Sequence, residues 1–295
     1  MKKWFVLALC LLGVLALNVA QASAALVILD DWSLQVGGKT VQAIDYMTYT
    51  GLSHVNITDT DLNGLDGGDP FTDVVAFKVG SSGLQNDATG TIIKYSDGSF
   101  IGGGDFELTG VATMTGVHTA VVAGNAQYVF NTATLDFYLD TNSATFAQPG
   151  LGGGTISGYK DGTQIASFGL MSGGGNFNFP TLDGNIDVDF VSGWVLSGYM
   201  FTEDGVDFST FPFLAALTDS NSDADINGDG VPDIVLPSNW TGYTGQTVGG
   251  DLYDLNLQVD GSARYAVPEP CTMLLFGTGL IGLAGAARRK LGKKK

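Results

Sequence analysis

Between residues 25 and 267, apolar side chains recur at every second position in short runs broken by Gly, Asp and Asn. Leu135, Phe137 and Leu139 alternate with Asp136, Tyr138 and Asp140, and Ile186, Val188 and Phe190 alternate with Asp187 and Asp189. Period 2 sends successive side chains to opposite faces of an extended chain, so each run reads as a strand with one wet and one buried face. Thr40–Tyr46 begins another such run, whereas Asp73–Val79 is nearly continuous in apolar residues, as a strand covered on both faces would be. Asp97-Gly98 and Asp161-Gly162 lie between runs, where hairpin turns are expected. The same stretch holds 37 of the 43 Gly and all 27 Asp but two Glu, a composition that disfavours helices. Ser209–Leu217 is the best helix candidate, and it is short. Roughly 12–16 strands at this spacing predict a single all-β domain built as a two-sheet β-sandwich. A β-helix is the alternative, although no repeat of fixed length is present to support a solenoid.

Charge narrows the function. Five basic side chains (Lys39, Lys78, Lys94, Lys160 and Arg264) face 29 acidic ones in residues 25–267, leaving this body at −24. Such a surface repels phosphate backbones and argues against nucleic-acid binding. The two Cys, Cys10 and Cys271, lie outside the body, so Cys-His catalysis has no nucleophile there. Neither G-x-S-x-G nor H-E-x-x-H occurs, and the two His, His54 and His118, sit in separate runs. Glu107 and Glu203 are the body's two Glu, and with so many Asp a carboxylate pair for glycoside hydrolysis is a formal option. The expectation is a protein that is not an enzyme.

The two ends carry addresses. Lys2 and Lys3 precede an apolar run, Trp4–Leu17, and Ala22-Ser23-Ala24 supplies small residues for cleavage. This is the layout of a secretory signal peptide over 1–24, with a helical apolar core, cut by signal peptidase after Ala24. At the other end Cys271–Ala287 is an uncharged 17-residue stretch followed by Arg288, Arg289, Lys290 and Lys293–Lys295. At about 1.5 Å per residue it is just long enough to cross a bilayer as a helix, with the basic end held on the cytoplasmic side. Pro268 and Pro270 cannot continue a helix and keep the segment before it extended.

Pro268-Glu269-Pro270, a Gly-rich apolar helix and a terminal Arg/Lys cluster together resemble the PEP-CTERM sorting signal, here over 268–295. The resemblance implies that an exosortase recognises the tail while the helix holds it in the membrane. The chain would then be exported across the inner membrane, anchored transiently, and delivered to the cell surface or extracellular matrix. Proteins with this signal accompany exopolysaccharide production, so the resemblance implies a matrix or surface-interaction protein of biofilm or floc, with extracellular polysaccharide as a partner. A secreted carbohydrate-active enzyme on a β-sandwich is the alternative, since one fold hosts both.

Within 219–233, the order Asp225-x-Asn227-x-Asp229-Gly230-x-x-Asp233 puts oxygen donors at positions 1, 3, 5 and 9 of a loop. Gly230 allows the sharp turn at position 6 and the Val231 carbonyl falls at position 7, the donor order that a hard Ca²⁺ ion takes. Position 12 is Leu236 instead of Glu, and Pro232 with Pro237 precludes the flanking helices of an EF-hand. The segment is similar to the shorter calcium loops of dockerin and thrombospondin type 3 repeats. A second register would start at Asp223, with Gly228 as the turn glycine. Asp59-Thr60-Asp61-Leu62-Asn63-Gly64 opens a second pattern of this kind, with Asp66 and Asp69 as looser later donors.

Overall fold

A computed structural model describes residues 26–79, 83–142, 158–236, 240 and 252–268. Among these, the body contains β2 (Trp32–Val36), β3 (Lys39–Ile44), β4 (Tyr46–Thr58), β5 (Pro70–Val79), β6 (Leu84–Asn86), β7 (Gly90–Thr91), β8 (Glu107–Val122) and β9 (Asn125–Asp140). It continues with β10 (Thr163–Asn178), β11 (Asp183–Val195), β12 (Met200–Phe201), β13 (Leu214–Asp223) and β14 (Leu252–Pro268). Hydrogen-bonded neighbours follow chain order through β4, β5, β8, β9, β10, β11, β13 and β14, and β14 pairs back onto β4. That last ladder runs antiparallel from Leu252↔Thr58 to Ala263↔Met47 and closes the sheet into an eight-stranded up-and-down ring.

This corrects the expected two-sheet sandwich, and equally the β-helix: the body is all-β and antiparallel, but its long strands form one closed ring. A period of 2 reports one apolar face per strand, which a sandwich and a barrel share. The difference lies in whether the first and last strands pair, and no local pattern records that.

Inside the ring the apolar parity is kept. Leu135, Phe137 and Leu139 are buried on β9, as are Ile186, Val188 and Phe190 on β11. Thr113, Thr132, Thr134, Asp187, Asp189 and Gln258 point outward and are exposed. A barrel that crosses a membrane needs an apolar outer band, and these outward positions are polar. Among the described residues no helix is long and apolar enough to cross a membrane.

Aromatic rings fill one end. Phe77, Phe137, Phe168, Phe213 and Tyr265 form a chain of edge contacts with centroids 5.3–5.9 Å apart, the spacing at which ring edges meet ring faces. Trp32 of the small β12-β2-β3 sheet and Phe208 of a 3-10 turn at Phe208–Thr210 pack on Tyr265 and close that end. The Phe77 ring fills the space that a side chain at Gly110 would need, so a glycine in mid-strand is what lets the ring lie against β8.

On the outside of β4, β5 and β8, the loop residues Tyr159, Ile234, Leu236 and Trp240 cover Leu52, Ala76 and Val111. This cover explains the nearly unbroken apolar run of Asp73–Val79: β5 is buried on both faces at Ala76. The expected helix at Ser209–Leu217 is not formed. Pro212 interrupts it, and Leu214–Leu217 are taken into β13 by pairing with β11, from Val191↔Leu214 to Val188↔Leu217. Tertiary pairing here overrides the helix preference of a Leu-Ala-Ala-Leu run.

Residues 26–28 and 266–268 belong to a separate compact unit. There β1 (Leu26–Ile28) makes a short antiparallel ladder with Ala266–Pro268, in register Leu26↔Pro268. The signal-peptide and C-terminal helices expected from the sequence lie outside the described residues.

Candidate functional site

Because the ring is antiparallel, β4, β8, β10 and β13 all finish at one end, opposite the aromatic plug. Both acidic loops emerge there. Asp59, Asp61 and Asp69 bring carboxylate oxygens within 4.8 Å of one another, with Asp59 and Asp69 buried and Asp61 exposed. Asp59 accepts the amides of Leu62 (2.8 Å) and Gly64 (2.7 Å), and Asp69 accepts those of Thr60 (3.0 Å) and Asp66 (2.9 Å). Burial pushes the Asp59 carboxyl up, but these amides outweigh it and hold the group below its ordinary value. Asp61 is held above its ordinary value by desolvation and by the charge of Asp66.

The loop after β13 is organised around Asp225, which is 6% exposed. Its Oδ1 accepts the amides of Gly228 (2.8 Å) and Asp229 (3.2 Å), and its Oδ2 accepts that of Gly230. Asn227 Oδ1 accepts the Asp229 amide, Asp229 Oδ1 the Val231 amide and Asp233 Oδ1 the Ile226 amide. Gly228 and Gly230 both take left-handed backbone, φ 73° and 81°, so each register seen in the sequence has its turn glycine in place. The tight group of three carboxylates among the described residues is Asp59, Asp61 and Asp69, and Asp225, Asp229 and Asp233 are not drawn together in that way. Their donor set is nevertheless all oxygen: Asp225 Oδ1 is taken up by two amides, but Asp225 Oδ2 and the Oδ1 atoms of Asn227, Asp229 and Asp233 accept one amide each and keep lone-pair capacity for a hard cation.

Below the acidic loops the ring interior holds a cavity of about 30 Å³, room for roughly one water. Its walls are largely apolar, including Ile57, Phe71, Phe177, Phe179, Ile186, Leu255 and Leu257, and Asp73 is their one carboxylate. Asp73 is 2% exposed and accepts the Ser53 hydroxyl at 2.6 Å. Burial pushes its carboxyl up to about 7, against the smaller opposing effect of Ser53. Tyr128 donates to the Asn185 carbonyl at 3.2 Å, and burial, then the Asp73 charge, push its hydroxyl up.

His118 joins the cavity to the acidic rim, its Nδ1 lying 3.1 Å from the Asp69 carbonyl oxygen. A carbonyl only accepts, so Nδ1 carries the proton, and burial holds the imidazole below its ordinary value. Asp73 is the residue that sequence reading passed over. Its signal was parity: Phe71, Asp73, Val75 and Phe77 share the inward phase of β5, so the Asp stands where an apolar side chain belongs.

The body's two Glu lie elsewhere. Glu107, on the outer side of β8, is fully buried and pairs with Lys78 at 2.6 Å, and Glu203 is exposed after β12. Of the sorting residues, Pro268 ends β14, while Ala24, Glu269 and Pro270 lie outside the described residues.

A family model described as the PEP-CTERM protein-sorting motif matches residues 266–290. The chain thus carries this motif, which implies export, a C-terminal sorting signal held at the membrane, and processing by exosortase on the way to the surface. The rest of the chain has no family match of this kind, and no curated protein matches it. Among solved structures, the crystal structure of Ail, the attachment invasion locus protein of Yersinia pestis, aligns at 6% identity over 75% of this chain and 97% of that one. Its TM-score is 0.14, a level that carries no argument about fold or function.

Proposed function

We propose that the mature body is a non-catalytic extracellular matrix protein, associated with exopolysaccharide in biofilm or floc and bound to Ca²⁺ at its acidic end. The observation that carries this reading is the sorting motif at 266–290, which here accompanies a barrel of polar, acidic exterior. An outer face of Thr, Asp and Asn suits a hydrated polymer network. The body's charge of −24 makes divalent cations its natural counter-ions outside the cell. Calcium would be held by Asp225, Asn227, Asp229, the Val231 carbonyl and Asp233. Hydrolysis of a glycoside by the usual route takes two facing carboxyl groups, and the interior cavity offers Asp73 alone. The test is a deletion strain. Loss of aggregation and of matrix retention, restored by the intact gene, is the expected result. Unchanged aggregation, retention and surface attachment would count against the matrix role.

A further inference from the structure

On the outer face of the barrel, where β4, β14 and β13 lie side by side, an open groove of about 540 Å³ is lined almost wholly by hydrogen-bonding side chains. That is the size of a small-molecule site, in a position the acidic loops and the interior cavity leave unused. We infer that this groove binds a segment of a neutral polysaccharide. The inference takes from the matrix reading only the source of the glycan.

Three features select that chemistry. Thr50, Asn221 and Asp260 are exposed and line the groove, and among the described residues their side chains have no hydrogen-bond partner. A hydroxyl, an amide and a carboxylate can together donate to and accept from the vicinal hydroxyls of a sugar. Charge is balanced at one wall: Arg264 makes a two-pronged ion pair with Asp87 (3.0 and 3.1 Å) and lies 4.6 Å over the Tyr46 ring. With that guanidinium already satisfied, Asp260 is the one charge left among the lining residues, inside a body of −24. Anionic polymers are therefore disfavoured. Finally, Ser262 donates to the Thr218 carbonyl at 3.2 Å, so the floor is held by β13 and β14 before any ligand arrives. An exterior groove on strands, open to solvent, suits a polymer chain that continues beyond the protein.

The test is native affinity electrophoresis of the full chain in detergent, in gels containing laminarin, dextran or alginate. Two groove variants accompany it, Asn221→Ala/Asp260→Ala and Thr50→Arg. Trp194→Ala serves as the control, because Trp194 is an exposed aromatic on β11, outside the groove. All the altered side chains are exposed, and circular dichroism checks that each variant is folded. Retardation is expected in laminarin or dextran and not in alginate. Removing the two polar groups should weaken it about tenfold, Thr50→Arg should weaken it at least as much, and Trp194→Ala should leave it unchanged. Retardation by neither neutral glycan, retardation in alginate alone, or retardation untouched by both groove variants would each overturn the assignment. The matrix reading fails separately. If groove variants lose glycan binding in the gel yet the deletion strain keeps its matrix, the groove stands and the matrix role falls. If the deletion strain loses its matrix while no neutral glycan retards the protein, the reverse holds.

Discussion

Replacing Asp73 by Asn is expected to stabilise the protein at pH 8 by about 4 kcal/mol. The carboxyl titrates near 7 when buried in the barrel, against 3.8 for its ordinary value, because the apolar cavity penalises its charged form. The folded state therefore holds the proton more tightly than the unfolded one. Stability due to this group is fully present below about pH 4, falls as pH rises toward 7, and stays at the lower level above that. Asparagine keeps an oxygen for the Ser53 hydroxyl and has no charge to bury. Urea unfolding at pH 4, 6 and 8 should show the gain growing from near zero to its full size across the series. Equal gains at all three values would mean that Asp73 does not titrate in this range.

Millimolar Ca²⁺ is expected to raise the thermal midpoint of the full chain relative to EDTA, and Asp229→Ala is expected to remove most of that rise. A ligand bound by the folded state alone adds RT ln(1 + [L]/Kd), so millimolar Ca²⁺ over a Kd of about 0.1–1 mM adds about 0.4–1.4 kcal/mol, which for a domain of this size is about 1–6 °C. Without a Glu at position 12 the affinity should sit in the millimolar range of extracellular modules, well below that of a cytosolic sensor. The second acidic loop gives the experiment its contrast. A rise that survives Asp229→Ala and disappears in Asp61→Ala would place the ion at Asp59, Asp61 and Asp69 and overturn the assignment to residues 225–233.

Strands were readable from residues such as Ile186, Val188 and Phe190 because period 2 is a local property, and burial on β11 follows it from Asp183 to Ser192. Ring closure was not readable. It depends on Met47 meeting Ala263, a pairing more than 200 residues apart in sequence that two ordinary alternating runs do nothing to announce. The run Leu214–Leu217 misled for a related reason: its helix preference is real, and β11 outweighs it. In the acidic loops, spacing conveyed the order of donors but not their convergence. Asp69 reaches Asp59 only because the intervening residues turn back on carboxylate-to-amide bonds, whereas Asp225 turns its own loop inward around itself. Asp73 was legible in principle, as an acid on the apolar parity of β5, but a single charge in an apolar run reads as noise until its neighbours are known.

Delivery to the surface by way of the two ends is the claim on which the rest depends, and the intact mass of the protein recovered from the cell surface and medium tests it most directly. A species beginning at Ala25 and ending at or near Pro268-Glu269-Pro270 is expected, with signal peptide and basic tail both gone. Recovery outside the membrane of a mature chain that still ends in Lys293–Lys295 would contradict it.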